Sequence, residues 1–414
     1  MRLSDHRGYG ISGATAGARD AFERALGAHL TWHGGADGHL EEALRDAPHF
    51  TMAHVLRAYR HLGSREVVRV RLARWAHARA ASLPANARER LHIAVIRTAL
   101  ADDVTAAKAL LDHLLEEYPL DVLALQAGHA LDYVTGDEER MAGRVASVLP
   151  SWSRDLPGYS SVLAMQAFSL MECARHEEAT EHGLEALALD PSDVRAHHAL
   201  THVHEMTGDA AAGARWLQER REVWSIDSPA ATHLWWHTAL FRLAQGELGA
   251  ALELYDERVR AGRSVRVADM IDASALLWRI ELRGGEVGRR WGELAAAWTA
   301  HIDDGFCTFN DLHAMLALVG ARDWTGANRL VEELQCRHAL GTRHGETTRL
   351  VGLAASEGIL AFGRAEYARA AELLSALPDF ARRIGGSQAQ RDVLYLTLRE
   401  SARRMHRPRI TAAA

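Results

Sequence analysis

A spacing of 34 residues constrains this chain more than any other feature. In ARHEEATEHGLEALALDP, residues 174–191, small side chains stand at Ala179 and Ala186, and Pro191 closes the run. Counting 34 residues on from Ala179 reaches Gly213, with Gly208 between them as a turn residue. Small residues let two helices approach closely, and proline ends a helix because it lacks the N–H and clashes with the preceding turn. The twelve-residue step from Ala179 to Pro191 recurs from Ala107 to Pro119 in TAAKALLDHLLEEYPLD. Ala43 with Pro48, Ala251 in LAQGELGAALELYDERV and Ala370 in FGRAEYARAAELL sit in the same frame.

That pattern matches the tetratricopeptide repeat, in which helical hairpins bury a continuous core only by stacking on neighbours. Helical periodicity runs from about Ala18 to about Arg399, and no long stretch alternates with a period of two. The expected fold is all-α, a tetratricopeptide-like α-solenoid: a superhelix of stacked hairpins with a concave inner face. A short N-terminal arm, 1–17, precedes a single array over 18–400, and a basic, frayed tail covers 401–414. The interval from Pro119 to Pro191 is not a multiple of 34. The extra residues are expected in LPSWSRDLPGYS, a connection rich in turn formers.

Composition excludes several chemistries. The net charge is −6 and both signs are interspersed, so neither nucleic acid nor a membrane is an expected partner. Three cysteines, Cys173, Cys307 and Cys336, form no CxxC pair, which fits a reducing compartment. With no leader-like apolar run at the N-terminus, the expected location is cytoplasmic. Lys108 is the sole lysine and sits in a helix with a solvated pattern, which argues against pyridoxal phosphate. No phosphate-cradling or dinucleotide glycine motif is present, so neither a nucleotide nor NAD is expected.

The segment AHHALTHVHEMTGD, residues 196–209, carries the polar signal. The repeat frame makes Val194 to Thr207 the first helix of a hairpin. His198, His202 and Glu205 then project from one face at i, i+4 and i+7, while His197 and His204 point elsewhere, solvated or between helices. First helices line the concave wall of such folds, and three more of them bring polar groups. THLWWHTALF gives His233, Trp236 and His237; IDASALLWRIEL gives Asp272; FNDLHAMLAL gives Asn310, Asp311 and His313. Most of the eleven tryptophans are expected in the core, with Trp236 at a pocket wall. HExxH is absent, since Gly208 follows HEMT where a histidine would stand. The pairs His198/His202 and His233/His237 nonetheless have the i, i+4 spacing of a divalent metal site. Imidazole next to carboxylate suits proton transfer equally. Cys307, near Asp311 and His313, fits packing better than nucleophilic catalysis. In RRIGGSQAQRDVL, Gly385 and Gly386 end one helix and Ser387 caps the next. Arg391 and Asp392 read either as a satisfied pair or as a rigid loop whose arginine meets an anion.

Over nearly the whole chain these segments resemble the tetratricopeptide repeat protein 38 family. The likeness runs from AFERALGAHLTWHGG and DAPHFTMAHVLRA through LPSWSRDLPGYSSVLAMQAFSLME and AHHALTHVHEMTGD to IGGSQAQRDV. The resemblance implies that His198, His202, Glu205, His233, Trp236, His237, Asp272, Asn310, Asp311, His313, Arg391 and Asp392 occupy family motif positions. The chain departs from the family in stopping soon after IGGSQAQRDV and in a less acidic WHGGAD turn. The family's name supplies no reaction.

Two functions of different class follow. In one, the wall binds a small polar or anionic molecule and transforms it by acid–base or metal-assisted chemistry of hydrolase or lyase type. His202 and His237 would be the acid–base residues, oriented by Glu205, Asp272 or Asp311. His198, His233, Trp236, Asn310, His313 and Asp392 would contact the ligand, and Arg391 would clamp its anionic group. A divalent metal, if held, would fall to His198, His202, His233 and His237. In the other, the face is a non-catalytic adaptor for a peptide or partner protein. A purely structural polar core is a weaker third reading.

Overall fold

The computed structural model describes residues 3–64, 66–377 and 380–406. Among them the fold is all-α, and the one β feature is an isolated bridge between Ser4 and Gly10. Two compact units divide the chain, Met1–Phe241 and Arg242–Ala414, where the repeat spacing had suggested one unbroken array.

In the first unit consecutive helices pair as α1 (Ala16–Thr31) with α2 (Ala36–Asp46), and α3 (Thr51–Leu62) with α4 (Val67–Ala81). There follow α5 (Ala87–Leu100) with α6 (Val104–Glu117), α7 (Val122–Thr135) with α8 (Glu138–Val148), and α9 (Tyr159–Glu172) with α10 (His176–Leu189). α11 (Val194–Met206) pairs with α12 (Ala210–Glu219), and the short α13 (Arg221–Ser225) leads to α14 (Ala231–Ala244). In the second unit come α15 (Leu248–Leu254), α16 (Val267–Leu282), α17 (Arg290–Trp298), α18 (Thr308–Gly320) and α19 (Trp324–Arg337). The last are α20 (Arg343–Thr347), α21 (Leu353–Gly363), α22 (Tyr367–Ser375) and α23 (Gln388–Met405).

The same turn joins the helices of most hairpins. A residue in the left-handed region recurs at Asp102, Gly136, Ala174, Gly208, Gly246, Gly284, Arg322 and Ala365. The amide that follows each donates to a carbonyl five residues back, as Asp209 N–H does to His204 O at 2.9 Å and Asp323 N–H to Leu318 O at 2.8 Å. This bond satisfies a carbonyl orphaned at the helix end. The next residue often caps the second helix: Asp103, Asp209 and Asp323 each accept a first-turn amide. Four residues beyond those positions lie Ala107, Ala179, Gly213, Ala251, Ala327 and Ala370, all buried. The alanine period in the sequence therefore marks buried positions where the second helix of a hairpin meets its neighbours; at Gly213 that neighbour is Phe241 of α14. The turn interval is 34 residues from Ala174 to Gly208 but 38 from Gly208 to Gly246, about one helical turn longer. The same 38-residue interval separates Gly136 from Ala174, which is why the step from Pro119 to Pro191 is not a multiple of 34.

The connection expected at LPSWSRDLPGYS is a 3-10 turn, Leu149–Ser151, and a loop into α9. The N-terminal arm is tied down: Asp5 pairs with Arg88 at 3.1 Å, and Tyr9 Oη accepts from Leu120 N–H. Behind it lies a buried network, in which Arg88 and His92 converge on Asp121 at 2.8 and 2.9 Å and Tyr59 Oη meets His92 Nδ1. Burial opposes ionisation of Asp121, but His92 and Arg88 outweigh it and hold the carboxyl far below its ordinary range. Lys108, expected in solvent, is buried and pairs with Asp132 at 3.0 Å and Asp137 at 3.1 Å. The tail from 401 begins inside α23, and 407–414 lie outside the described residues. No helix among the described residues is long and apolar enough to cross a membrane.

A Cβ on Gly213 would overlap the buried ring of Phe241, whereas one on Gly249 would meet open space. Gly213→Ala should therefore cost about 1–3 kcal/mol by overpacking. Gly249→Ala should be neutral or stabilise by up to about 1 kcal/mol through helix propensity. Urea unfolding midpoints of the two variants test the pairing.

Candidate metal centre

α11 starts cleanly because Asp193 accepts the amides of Arg195 and Ala196 at 2.9 and 3.2 Å. Its register turns His198 and His202 into the unit, 4% and 0% exposed. α14 brings His233 and His237 against them at the same i, i+4 spacing. His198 Nε2 lies 3.0 Å from His202 Nε2 and 3.1 Å from His233 Nε2. The rings of His202 and His237 are 4.5 Å apart. One ligand atom from each of the four falls within 4.8 Å of the others.

Aromatic rings wall this cluster. Phe168 stacks on His198 and meets His202 edge-on, both at 5.5 Å, and Trp32 lies 5.0 Å from His198. Trp236, fully buried, is parallel to His233 at 5.2 Å. Burial, reinforced by the neighbouring imidazoles, pushes the pKa values of His198 and His202 well below the ordinary histidine value. These rings are neutral near pH 7 and present lone pairs.

Glu205 reaches His237, its Oε2 accepting from Nδ1–H at 2.9 Å. That bond fixes the tautomer and leaves Nε2 as the basic nitrogen, the outer-shell arrangement common behind metal-bound histidine. Hydrogen bonding does not satisfy the pair on α11, whose Nδ1 atoms are buried without a hydrogen-bond partner. Nor can one lone pair or one proton on His198 Nε2 align with two nitrogens at once. A cation held by the converging Nε2 atoms would relieve that crowding, while the two Nδ1 atoms would be left as they are. Zinc–nitrogen bonds of 2.0–2.1 Å put tetrahedral ligand atoms about 3.3 Å apart, near the two close separations observed. The wider pairs would have to contract.

The remaining expected residues lie in the second unit. Asp272 is buried on α16, and Asn310, Asp311 and His313 are buried on α18, which packs beside it. Asp311 Oδ2 accepts from His344 Nε2–H at 2.7 Å. Burial raises the Asp311 pKa, with His344 acting against it. His313 Nδ1–H donates to Phe309 O at 2.7 Å. Asp392 pairs with the buried Arg279, which also donates to Ala389 O at 2.7 Å and so ties α16 to α23. Arg391 donates to Gly386 O, and Ser387 caps α23 in a box with Gln390.

His197, expected solvated or interhelical, is interhelical: it is buried, donates to Pro191 O at 2.9 Å and lies against Trp216. His204 flanks the same indole. Cys307 is the half-buried residue before α18. Sequence reasoning missed Trp32, Phe168, Arg195 and His344. His344 stands 33 residues after Asp311, close to one repeat, and that spacing was its signal. Trp32 carried none, because it comes from the first hairpin. A cavity of about 500 Å³ opens beside it, lined by His33, Asp37, Arg60 and Asp227 among others. No known family model matches the chain.

His129, buried on α7, donates Nε2–H to Met165 O at 3.2 Å. Burial, with the charge of Arg195, pushes its pKa down to about 3. The unfolded chain protonates this ring near pH 6.5, so it binds more protons than the folded chain between about pH 6.5 and 3. The stability involved is present above that window and falls with pH, by about 2 kcal/mol at pH 5. His129→Gln keeps a donor and removes the titration, so its unfolding free energy should fall less on acidification. An equal fall in both proteins would contradict a buried neutral ring.

Proposed function

We propose that this is a tetratricopeptide-like α-solenoid, related to the tetratricopeptide repeat protein 38 family, with a transition-metal centre at His198, His202, His233 and His237. Zinc is the ion the donors fit best, since imidazole suits borderline metals and the two close nitrogen separations approach a tetrahedral edge. One observation carries the reading: four imidazoles converge within 4.8 Å, and Glu205 orients one of them. Neutral donors leave the ion's charge in place, which favours a small polar or anionic ligand. With all four imidazoles bound a tetrahedral ion would be closed, so a ligand oxygen or water would enter as a fifth donor or in place of one imidazole, where the ion would polarise it. Glu205 and His237 would hold and orient the proton balance at its edge. The chain's three cysteines form no disulfide, which supports a cytoplasmic setting. An adaptor role is less well supported, because these imidazoles are buried rather than lining an open groove.

The test is metal content and affinity. The full chain should bind about one zinc equivalent, and zinc at a hundredfold excess over Kd should stabilise it by about 2.7 kcal/mol. His202→Ala or His237→Ala should abolish that shift, and Glu205→Gln should weaken binding about 10–100-fold. A chain that takes up no zinc, copper, nickel or cobalt by calorimetry, and that no small anion stabilises, would leave the adaptor as the better reading.

A further inference from the structure

α4 stands apart from the other helices in what it turns outward. Val68, Leu72 and Trp75, at i, i+4 and i+7, are 60%, 43% and 56% exposed. They form one apolar stripe along the helix. The inward side is only Ala73, Ala76 and Ala80. The same helix carries Arg69, Arg71, Arg74 and Arg79 and no acidic residue. The segregation extends into α5: from Val67 to Leu100 the chain has seven arginines and a single acid, Glu89. Of the seven only Arg88 is buried and paired inward, and the nearest outer acid is Glu66, 3.9 Å from Arg69. Glu89 is buried and turned inward, accepting from the amides of Ser12 and Asn86 at 2.8 Å. On a chain of net charge −6 this is a concentrated basic face, which the even overall mixture conceals.

We propose that the α4 face docks on a bilayer surface bearing anionic headgroups. Arginines would meet the phosphates and carboxylates, while Trp75, Leu72 and Val68 enter the headgroup–acyl boundary. Tryptophan is favoured at that depth because its ring is apolar and its N–H is polar. Arginine stems cover apolar surface while their guanidinium groups stay in the polar layer. A second copy of the chain fits less well, since two such faces would set four arginines against four. A nucleic acid would match the arginines but leave the apolar stripe without a counterpart. A ridge on one helix also needs a medium that deforms around it. This docking would bring the first unit to the membrane without any spanning segment, and it does not depend on the metal centre.

The experiment is flotation of the full-length protein with phosphatidylcholine vesicles, with and without about one-third phosphatidylserine. About tenfold more protein should float with the anionic vesicles at low salt, and raised salt should reverse this. Arg69→Glu/Arg71→Glu and Leu72→Ser/Trp75→Ser should each lower binding about tenfold. All four side chains are exposed, and circular dichroism checks that the variants fold. Four results would overturn the proposal: no preference for anionic vesicles, binding unchanged in both variants, loss only in the charge variant, or a dimer that dissociates in the apolar variant.

Discussion

Arg195 holds the first unit together in a way that stacked hairpins alone would not. It is buried near the start of α11, where its Nε donates to Leu30 O at 2.8 Å and its guanidinium lies 4.6 Å from the Trp32 ring centre. Hairpins of a simple array touch only their neighbours; here the end of the first helix meets the eleventh. Two further bonds complete the join, Ser228 Oγ–H to Trp32 O at 2.8 Å and Gly34 N–H to Asp227 O at 2.6 Å. The join has costs. Burial lowers the Arg195 pKa to about 10 and raises that of Asp193 to about 6, although each ion partly compensates the other. Trp32 adopts a left-handed backbone, φ 59°, unusual for a bulky side chain. What these costs secure is the wall beside His198. Without Trp32 that ring would lack one of its two apolar covers, and its pKa would lie closer to the ordinary value.

The histidine cluster separates what spacing gives from what packing gives. The i, i+4 pairs on α11 and α14 follow from helical geometry and were legible at once. The frame also put His198 and His202 together on one face, expected on a concave wall; the structure buries that face. That the two pairs converge nitrogen to nitrogen depends on how α11 and α14 approach, and no local pattern encodes it. His197 takes the interhelical one of its two expected places, because Trp216 and the Pro191 carbonyl hold it there.

Charge behaves in the same manner. Summed over the chain, acids and bases nearly cancel, and that balance argued against any surface partner. The fold sorts them. Glu89 turns inward to cap α5 and to bind the N-terminal arm, leaving arginine on the outer face of α4 and α5. Lys108 is the converse case, a lone lysine on a helix with a solvated pattern whose partners, Asp132 and Asp137, arrive from the next hairpin.

By itself the sequence determined the helices, their hairpin turns and the small residues at helix contacts. Each of these depends on neighbours within a few positions or on a repeating steric need. It also determined that two helices would each carry two imidazoles on one side. Tertiary structure alone decided that the chain divides at Phe241 and that Trp32 closes on His198. It likewise decided that His344 reaches the Asp311 carboxylate. Those outcomes are contacts between distant segments. They are set by which surfaces meet once every helix has buried its own face, and residue spacing along one chain does not record that.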